Sequence, residues 1–268
     1  MAVITFWGNN KIETMQTTSM AAIAIYMSLE QNSRNLIINA KYNDTNLQEC
    51  FWGQNKKLKN NIELETGISG LMRAISTNKA TPEIITNYTK TVFTDRLEIL
   101  TDSGITKEDF QKQRESMPTI LKMADKFYDL IFVDIEGNPT VPGIKNILES
   151  SDVIVVNTTQ RIKYIKEFQE LRKMYDVFKK DNLIYLIGRY DRFSKYNVKN
   201  LHRAVKVDDM YAIPYNTLFF EACNDGTLVD FVINYRRDRN GIQLPIMESI
   251  DLASQGIINK LKELQMEG

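Results

Sequence analysis

Short runs of β-branched and aromatic residues recur along the chain, separated by longer stretches in which apolar positions return at helical spacing. That alternation predicts repeated strand, helix, strand units around a parallel sheet. The predicted strands are 3–7, 36–40, 96–100, 130–134, 153–157, 183–188 and 210–213. Several are almost wholly apolar, as strands must be when helices cover both faces of a sheet and neither meets water. Helices are expected over 17–30, 106–127, 162–179 and 246–264, with another beginning near Asn216. The fold class that follows is α/β, a doubly wound, mainly parallel sheet.

Residues 43–61 are rich in Asn, Lys and Gln and read as a surface connection around the apolar pair Phe51-Trp52. No internal repeat and no low-complexity linker divides the chain, so one continuous domain over 1–268 is expected. The amphipathic segment 246–264 reads as a core-covering helix. Lys260 and Lys262 mixed with Glu263 and Glu267 argue against a membrane-targeting role for it.

Composition narrows the chemistry. The 34 basic and 34 acidic side chains cancel, so net charge gives no support to DNA as a partner. Cys50 and Cys223, the only cysteines, are too far apart in sequence to suggest a disulfide framework or a metal spacing, and they suit a reducing cytoplasm. His202 is the only histidine, which leaves little support for a zinc-histidine cluster or a histidine-activated nucleophile. No apolar run approaches the roughly 20 residues that span a bilayer, and the expected location is cytoplasmic.

The first predicted strand ends at Trp7-Gly8, and Asn9-Asn10-Lys11-Ile12-Glu13-Thr14-Met15-Gln16-Thr17-Thr18 then lead into the helix containing Met20-Ala21-Ala22-Ile23-Ala24. Strand, loop, helix is the architecture of a phosphate loop. Its backbone N–H groups and helix N-terminus meet phosphate oxygens, while a lysine supplies charge and a hydroxyl holds magnesium. The segment resembles the deviant phosphate loop of the ParA/MinD proteins, K-G-G-x-G-K-[ST], with Lys11 at the first lysine and Thr17 at the magnesium-ligand position. In that register Ile12, Glu13 and Met15 stand at glycine positions and Gln16 at the second lysine. Tyr128-Asp129-Leu130-Ile131-Phe132-Val133-Asp134 resembles the family's second nucleotide strand, whose terminal Asp supports magnesium through water. Residues 139–151, the strand 153–157, Ile213-Pro214 and the helix near Asn216 carry the resemblance over nearly the whole chain.

The resemblance implies ATP and Mg2+ as cofactors. Its nucleotide-binding positions are Lys11, Thr14, Gln16, Thr17, Thr18 and Asp134, with Arg189, Pro214 and Tyr215 bordering a base pocket. Thr17 and Asp134 are the implied metal positions. Simpler readings stand beside these: Lys11 as a solvated loop lysine, Thr17 as a helix cap, Asp134 as the polar end of a buried strand.

The departures bear on activity more than on fold. After the second strand, Ile38-Asn39-Ala40-Lys41-Tyr42-Asn43-Asp44 puts Asn39 or Lys41 at the family's usual acidic switch position, with Asp44 reachable only through a register shift. Exchanging a charged phosphate contact for glutamine removes roughly 1.5–3 kcal/mol, and a side chain at a left-handed glycine position costs about 1–2 kcal/mol. Weakened nucleotide binding and little or no ATPase activity are therefore expected.

The expected function is a ParA/MinD-like positioning or assembly protein with a degenerate ATP site. Within the family it is more similar to the pilus-localising TadZ proteins than to an active partition ATPase. Its similarity to the longer CpaE proteins is partial, because no receiver-like domain precedes the first strand. The implied partners are a second copy of the chain, across whose interface Lys11 would act, and proteins of a localisation or assembly system able to recruit it to a membrane-associated complex. Two alternatives stay open: an active or weak ATPase in plasmid or chromosome partition, and an α/β module binding another small ligand or only protein partners.

Overall fold

The computed structural model describes residues 1–8, 14–53, 67–77, 82–102, 105–205, 207, 209–238 and 241–267. Among these, eight strands form one sheet: β1 Ala2–Gly8, β2 Asn35–Asn39, β3 Lys90–Phe93, β4 Leu97–Leu100, β5 Leu130–Glu136, β6 Val153–Thr158, β7 Leu183–Tyr190 and β8 Met210–Pro214. The order across the sheet is β3-β4-β2-β5-β1-β6-β7-β8. Every pairing is parallel except that of β3 with β4.

Successive side chains on a strand point to opposite faces, and the two faces carry separate cores. From β1, Val3 and Trp7 enter one core while Ile4 and Phe6 enter the other. The Ile4 side is covered by α1 Gln16–Glu30, α2 Asn46–Trp52, α8 Thr217–Asp225, α9 Leu228–Tyr235 and α10 Leu244–Glu267. The Val3 side is covered by α3 Gly67–Ser76, α4 Lys107–Ala124, α5 Pro142–Glu149, α6 Ile162–Met174 and α7 Val198–Val205. Helices on both faces make this the doubly wound, mainly parallel sheet that the apolar strands imply. On the second face Trp7 packs on Phe168 and Phe178, with ring centroids 5.6 and 5.0 Å away, and donates its indole N–H to Gly137 O at 2.9 Å. Among the described residues no helix is long and apolar enough to cross a membrane.

All seven predicted strands are present, with ends that differ by one or two residues. β3 has no counterpart in the sequence pattern because it is a four-residue antiparallel edge strand with no buried position, and so has no apolar run to betray it. The helix expected over 162–179 stops at Met174, where Tyr175 turns to extended backbone, and a separate 3-10 turn follows over Asp176–Phe178. Thr106 caps α4 rather than belonging to it, its hydroxyl accepting from Asp109 N at 3.1 Å.

One reading needs correction. Within 43–61, expected to be a surface connection, residues 46–52 form α2, which buries Leu47, Cys50 and Phe51; the segment 54–66 lies outside the described residues. The cysteines, remote in sequence, are both free and buried. A hydrogen bond with Cys223, reinforced by burial, pushes the Cys50 thiol well above its usual pKa. α2 and α8 come this close because both end on left-handed glycines: a Cβ on Gly226, at φ +74°, would lie 2.0 Å from Gly53 N.

Candidate functional site

β1 lies between β5 and β6, and β5 between β1 and β2, so the carboxyl ends of β2, β5 and β1 open together in the middle of the sheet. Open α/β sheets bind ligands outside such strand ends. Asp134 pairs in register with Phe6 on one side and Asn39 on the other, and is fully buried. As an even-numbered residue of β5 it shares a face with Phe132, and therefore points to the side on which α1 begins.

The entry to α1 is strained. Met15 adopts φ 50°, ψ 31°, the left-handed conformation that suits glycine, at a position the resembling loop gives to glycine. Close backbone contact continues at Gly188, where a Cβ would stand 1.8 Å from Thr14 O. The end of β7 thus abuts the start of the described loop.

Gln16 turns inward. Its amide nitrogen donates to Phe6 O at 2.9 Å, Ile135 O at 2.8 Å and Asp134 Oδ1 at 2.5 Å, so its donors are committed to the strand ends. Gly8 makes room for it, since a Cβ there would lie 2.5 Å from Gln16 Oε1. Thr17 donates its hydroxyl proton to Asp134 Oδ2 at 2.7 Å. It is not the helix cap: the cap position falls on Met15, which offers no side-chain hydrogen bond, while the Thr18 hydroxyl bonds back to Met15 O at 3.1 Å.

Lys41 completes the cluster. Its side chain is only 6% exposed, and its ammonium donates to Thr17 Oγ1 at 2.7 Å and pairs with Asp134 Oδ1 at 2.8 Å, with Asp44 Oδ2 farther off at 4.0 Å. Asn39 shapes the loop that delivers it. The Asn39 carboxamide accepts from Lys41 N at 3.1 Å and donates to Asp44 O at 2.9 Å. Asn39 and Lys41, alternative occupants of one acidic position by sequence, thus act as loop clamp and inserted cation.

Above the cluster opens a cleft of ≈ 540 Å³, walled by Gly8, Gln16 and Thr17 on one side and by residues 41–46 with Glu136 on the other. Among the described residues of that lining, Lys41 is the one cation, and Asp44 and Glu136 are the carboxylates. A second cation, Arg114 of α4, stands beside the strand ends. It donates to Glu136 O at 3.1 Å and Ala40 O at 3.4 Å, and lies over the Phe110 ring at 4.4 Å. Burial lowers the Arg114 pKa.

Sequence reasoning named Lys41 as one occupant of the acidic switch position, without its inward turn, and did not single out this arginine. An arginine in mid-helix reads as part of a solvated face, and only the α4 packing turns it over the carbonyl ends of β2 and β5.

Other expected site residues are dispersed. Lys11 lies outside the described residues. Thr14 is buried against Gly188. Arg189 is exposed at the end of β7 with φ 51°, Pro214 ends β8 opposite Tyr190, and Tyr215 is half exposed with its ring 6.4 Å from Phe220. None of these three belongs to the described lining of the cleft.

Magnesium can be tested against the donors present. Among the described residues no group of three His, Cys, Asp or Glu side chains could hold a metal ion, so a metal would depend on Thr17 and Asp134. One oxygen of each, Thr17 Oγ1 and Asp134 Oδ1, already binds the Lys41 ammonium. Seating a divalent ion needs those lone pairs free, and the arrangement with Lys41 inside does not fit one.

No protein-family model and no curated protein sequence matches the chain. Solved structures do. A ParA family ATPase from Chlorobium tepidum TLS superposes with TM-score 0.71 at 16% identity, covering 96% of this chain and 98% of that one. MinD in the MinC:MinD cell division complex of Aquifex aeolicus gives 0.67 at 15%, covering 97% and 96%. A putative plasmid partition protein from Borrelia burgdorferi B31, bound to AMPPNP, gives 0.67 at 17%, covering 98% and 99%. Likeness at such identity establishes architecture, and the chain has the ParA/MinD type of P-loop NTPase fold.

Proposed function

We propose that the chain is a ParA/MinD-like positioning or assembly protein whose cleft does not turn over ATP. The observation that carries this reading is the inward turn of Gln16. At the position where a phosphate-loop lysine supplies charge to the transferring phosphoryl group, this chain has an amide whose nitrogen is bonded to Phe6 O, Ile135 O and Asp134. Phosphoryl transfer is catalysed chiefly by positioned positive charge. The described wall of the cleft instead holds one lysine and two partly buried carboxylates, Asp44 and Glu136.

In this reading nucleotide binds weakly or serves only as a structural ligand. The loss of a charge-assisted contact, about 1.5–3 kcal/mol, corresponds to roughly one to two decades in affinity. Function then rests on surfaces: a homodimer meeting through the loop face, and proteins of a localisation or assembly system of the pilus-positioning kind, which recruit the chain from the cytoplasm. The MinC:MinD complex of Aquifex aeolicus supports the general form, a partner protein held by this fold.

Isothermal titration with magnesium-ATP and a phosphate-release assay test the reading together. It expects weak or no binding and no turnover in the wild type. It expects recovered binding when Gln16→Lys is combined with Lys41→Asp, which restores both the loop cation and the acidic switch position. Substantial turnover by the unmodified chain contradicts it.

A further inference from the structure

We propose that Lys41 is the resident cation of the cleft, its ammonium standing between the Thr17 hydroxyl and the Asp134 carboxylate in place of a divalent metal and closing the pair to one. The inference rests on the non-hydrolysing reading above and deepens it by assigning the site its own cation.

The geometry is specific. Lys41 Nζ lies 2.7 Å from Thr17 Oγ1 and 2.8 Å from Asp134 Oδ1, on an otherwise buried side chain. Thr17 donates its hydroxyl hydrogen bond to Asp134 Oδ2, so its lone pair faces the ammonium, the same lone pair that a metal would use. Asp134 Oδ1 also accepts from Gln16, and each of the cluster's acceptors is thereby engaged by a protein donor. A carboxylate taken wholly out of water requires a countercharge. Among the described residues only Lys41 forms an ion pair with it.

The lysine is held there. Asn39 Oδ1 takes the Lys41 backbone N–H and Asn39 Nδ2 closes on Asp44 O, which fixes the turn that sends the side chain inward. The two alternative occupants of the acidic switch position therefore form one device. Asn39 sets the loop and Lys41 supplies the charge. A divalent ion entering beside the ammonium would meet like charge at contact distance, so metal entry requires Lys41 to leave.

Manganese binding followed by electron paramagnetic resonance, without nucleotide, tests this on the wild type, Lys41→Ala, Lys41→Met and Lys41→Ala/Asp134→Asn. Lys41→Met keeps the aliphatic stem, so a site gained there is read on a chain whose packing is retained, and thermal melts check folding of each variant. The expected result is that both single variants bind manganese at least about tenfold more tightly than the wild type, and that the added Asp134→Asn removes the gain. Equal manganese affinity in the wild type and both single variants overturns the proposal, as does absence of a gained site in folded Lys41→Met. A tight wild-type site abolished by Thr17→Val overturns it without recourse to a Lys41 variant. ATP turnover by the wild type contradicts the functional reading by a separate measurement, so the two failures are distinguishable.

Discussion

Lys41 and Asp134 are joined by a 2.8 Å ion pair at the base of the cleft, with the carboxylate fully buried and the lysine side chain 6% exposed. The pair links the loop after β2 to the carboxyl-terminal part of β5, 93 residues later in sequence. Removing one partner of a buried pair strands the other charge, which typically costs about 3–5 kcal/mol, whereas replacing both with apolar residues can be near neutral. Urea unfolding is expected to show strong destabilisation in Asp134→Leu, and substantial recovery when Lys41→Met is added. Additive losses would contradict the coupling.

A second stability test concerns Met15. Its left-handed backbone costs about 1–2 kcal/mol for a residue with a Cβ, while glycine loses about 0.5–1 kcal/mol through greater unfolded-state freedom. Met15→Gly should therefore leave stability unchanged or raise it by up to about 1.5 kcal/mol in thermal melts. Met15→Val, whose branched Cβ fits that region worse, should be clearly less stable than either.

How far these features are legible in the sequence depends on where their causes lie. The strands flanking the site could be read because a buried strand needs an apolar run, and β1, β2 and β5 have one. Asp134 could be placed because it ends such a run. α2 could not, since its inner residues Leu47, Cys50 and Phe51 are embedded in polar neighbours and cover only one side of a short helix. The inward placement of Lys41 stayed hidden for another reason. A lysine in a polar loop reads as solvated, and it becomes a buried cation only because β2 pairs with β5 in the register that sets Asn39 opposite Asp134. The inward turn of Gln16 likewise depends on strand ends that lie 118 to 119 residues away.

Acid should weaken the far end of the sheet. Glu98 of β4 is buried, which by itself raises its pKa, but hydrogen bonds from Thr89, Tyr128 and Arg34 outweigh burial and hold it below the usual carboxylate value. A carboxylate with a depressed folded pKa gives stability that is complete above its unfolded pKa and is lost as pH falls through the folded one. Unfolding free energy measured from neutral to acid pH should therefore decline in that window. Glu98→Gln should lower stability at neutral pH and flatten the decline. An unchanged slope in that variant would assign the acid sensitivity elsewhere.

The apposition of α2 and α8 predicts sensitivity at Gly226. At φ +74° with Gly53 N in its path, Gly226→Ala must both strain its own backbone and push α2 away. A loss of about 2 kcal/mol or more is expected in chemical denaturation, larger than backbone strain of about 1–2 kcal/mol alone. Faster labelling of Cys50 and Cys223 by a thiol reagent should accompany it, because both thiols are buried where the two helices meet.

With Gln16 turned into the strand ends and Lys41 seated between Thr17 and Asp134, the cleft of this ParA/MinD-type fold is expected not to hydrolyse ATP. The most direct measurement is phosphate release by the purified chain in saturating magnesium-ATP, beside Thr17→Ala and Asp134→Ala. The account predicts that the wild type releases phosphate no faster than the two variants and the protein-free control. Sustained release by the wild type that both substitutions abolish would contradict it.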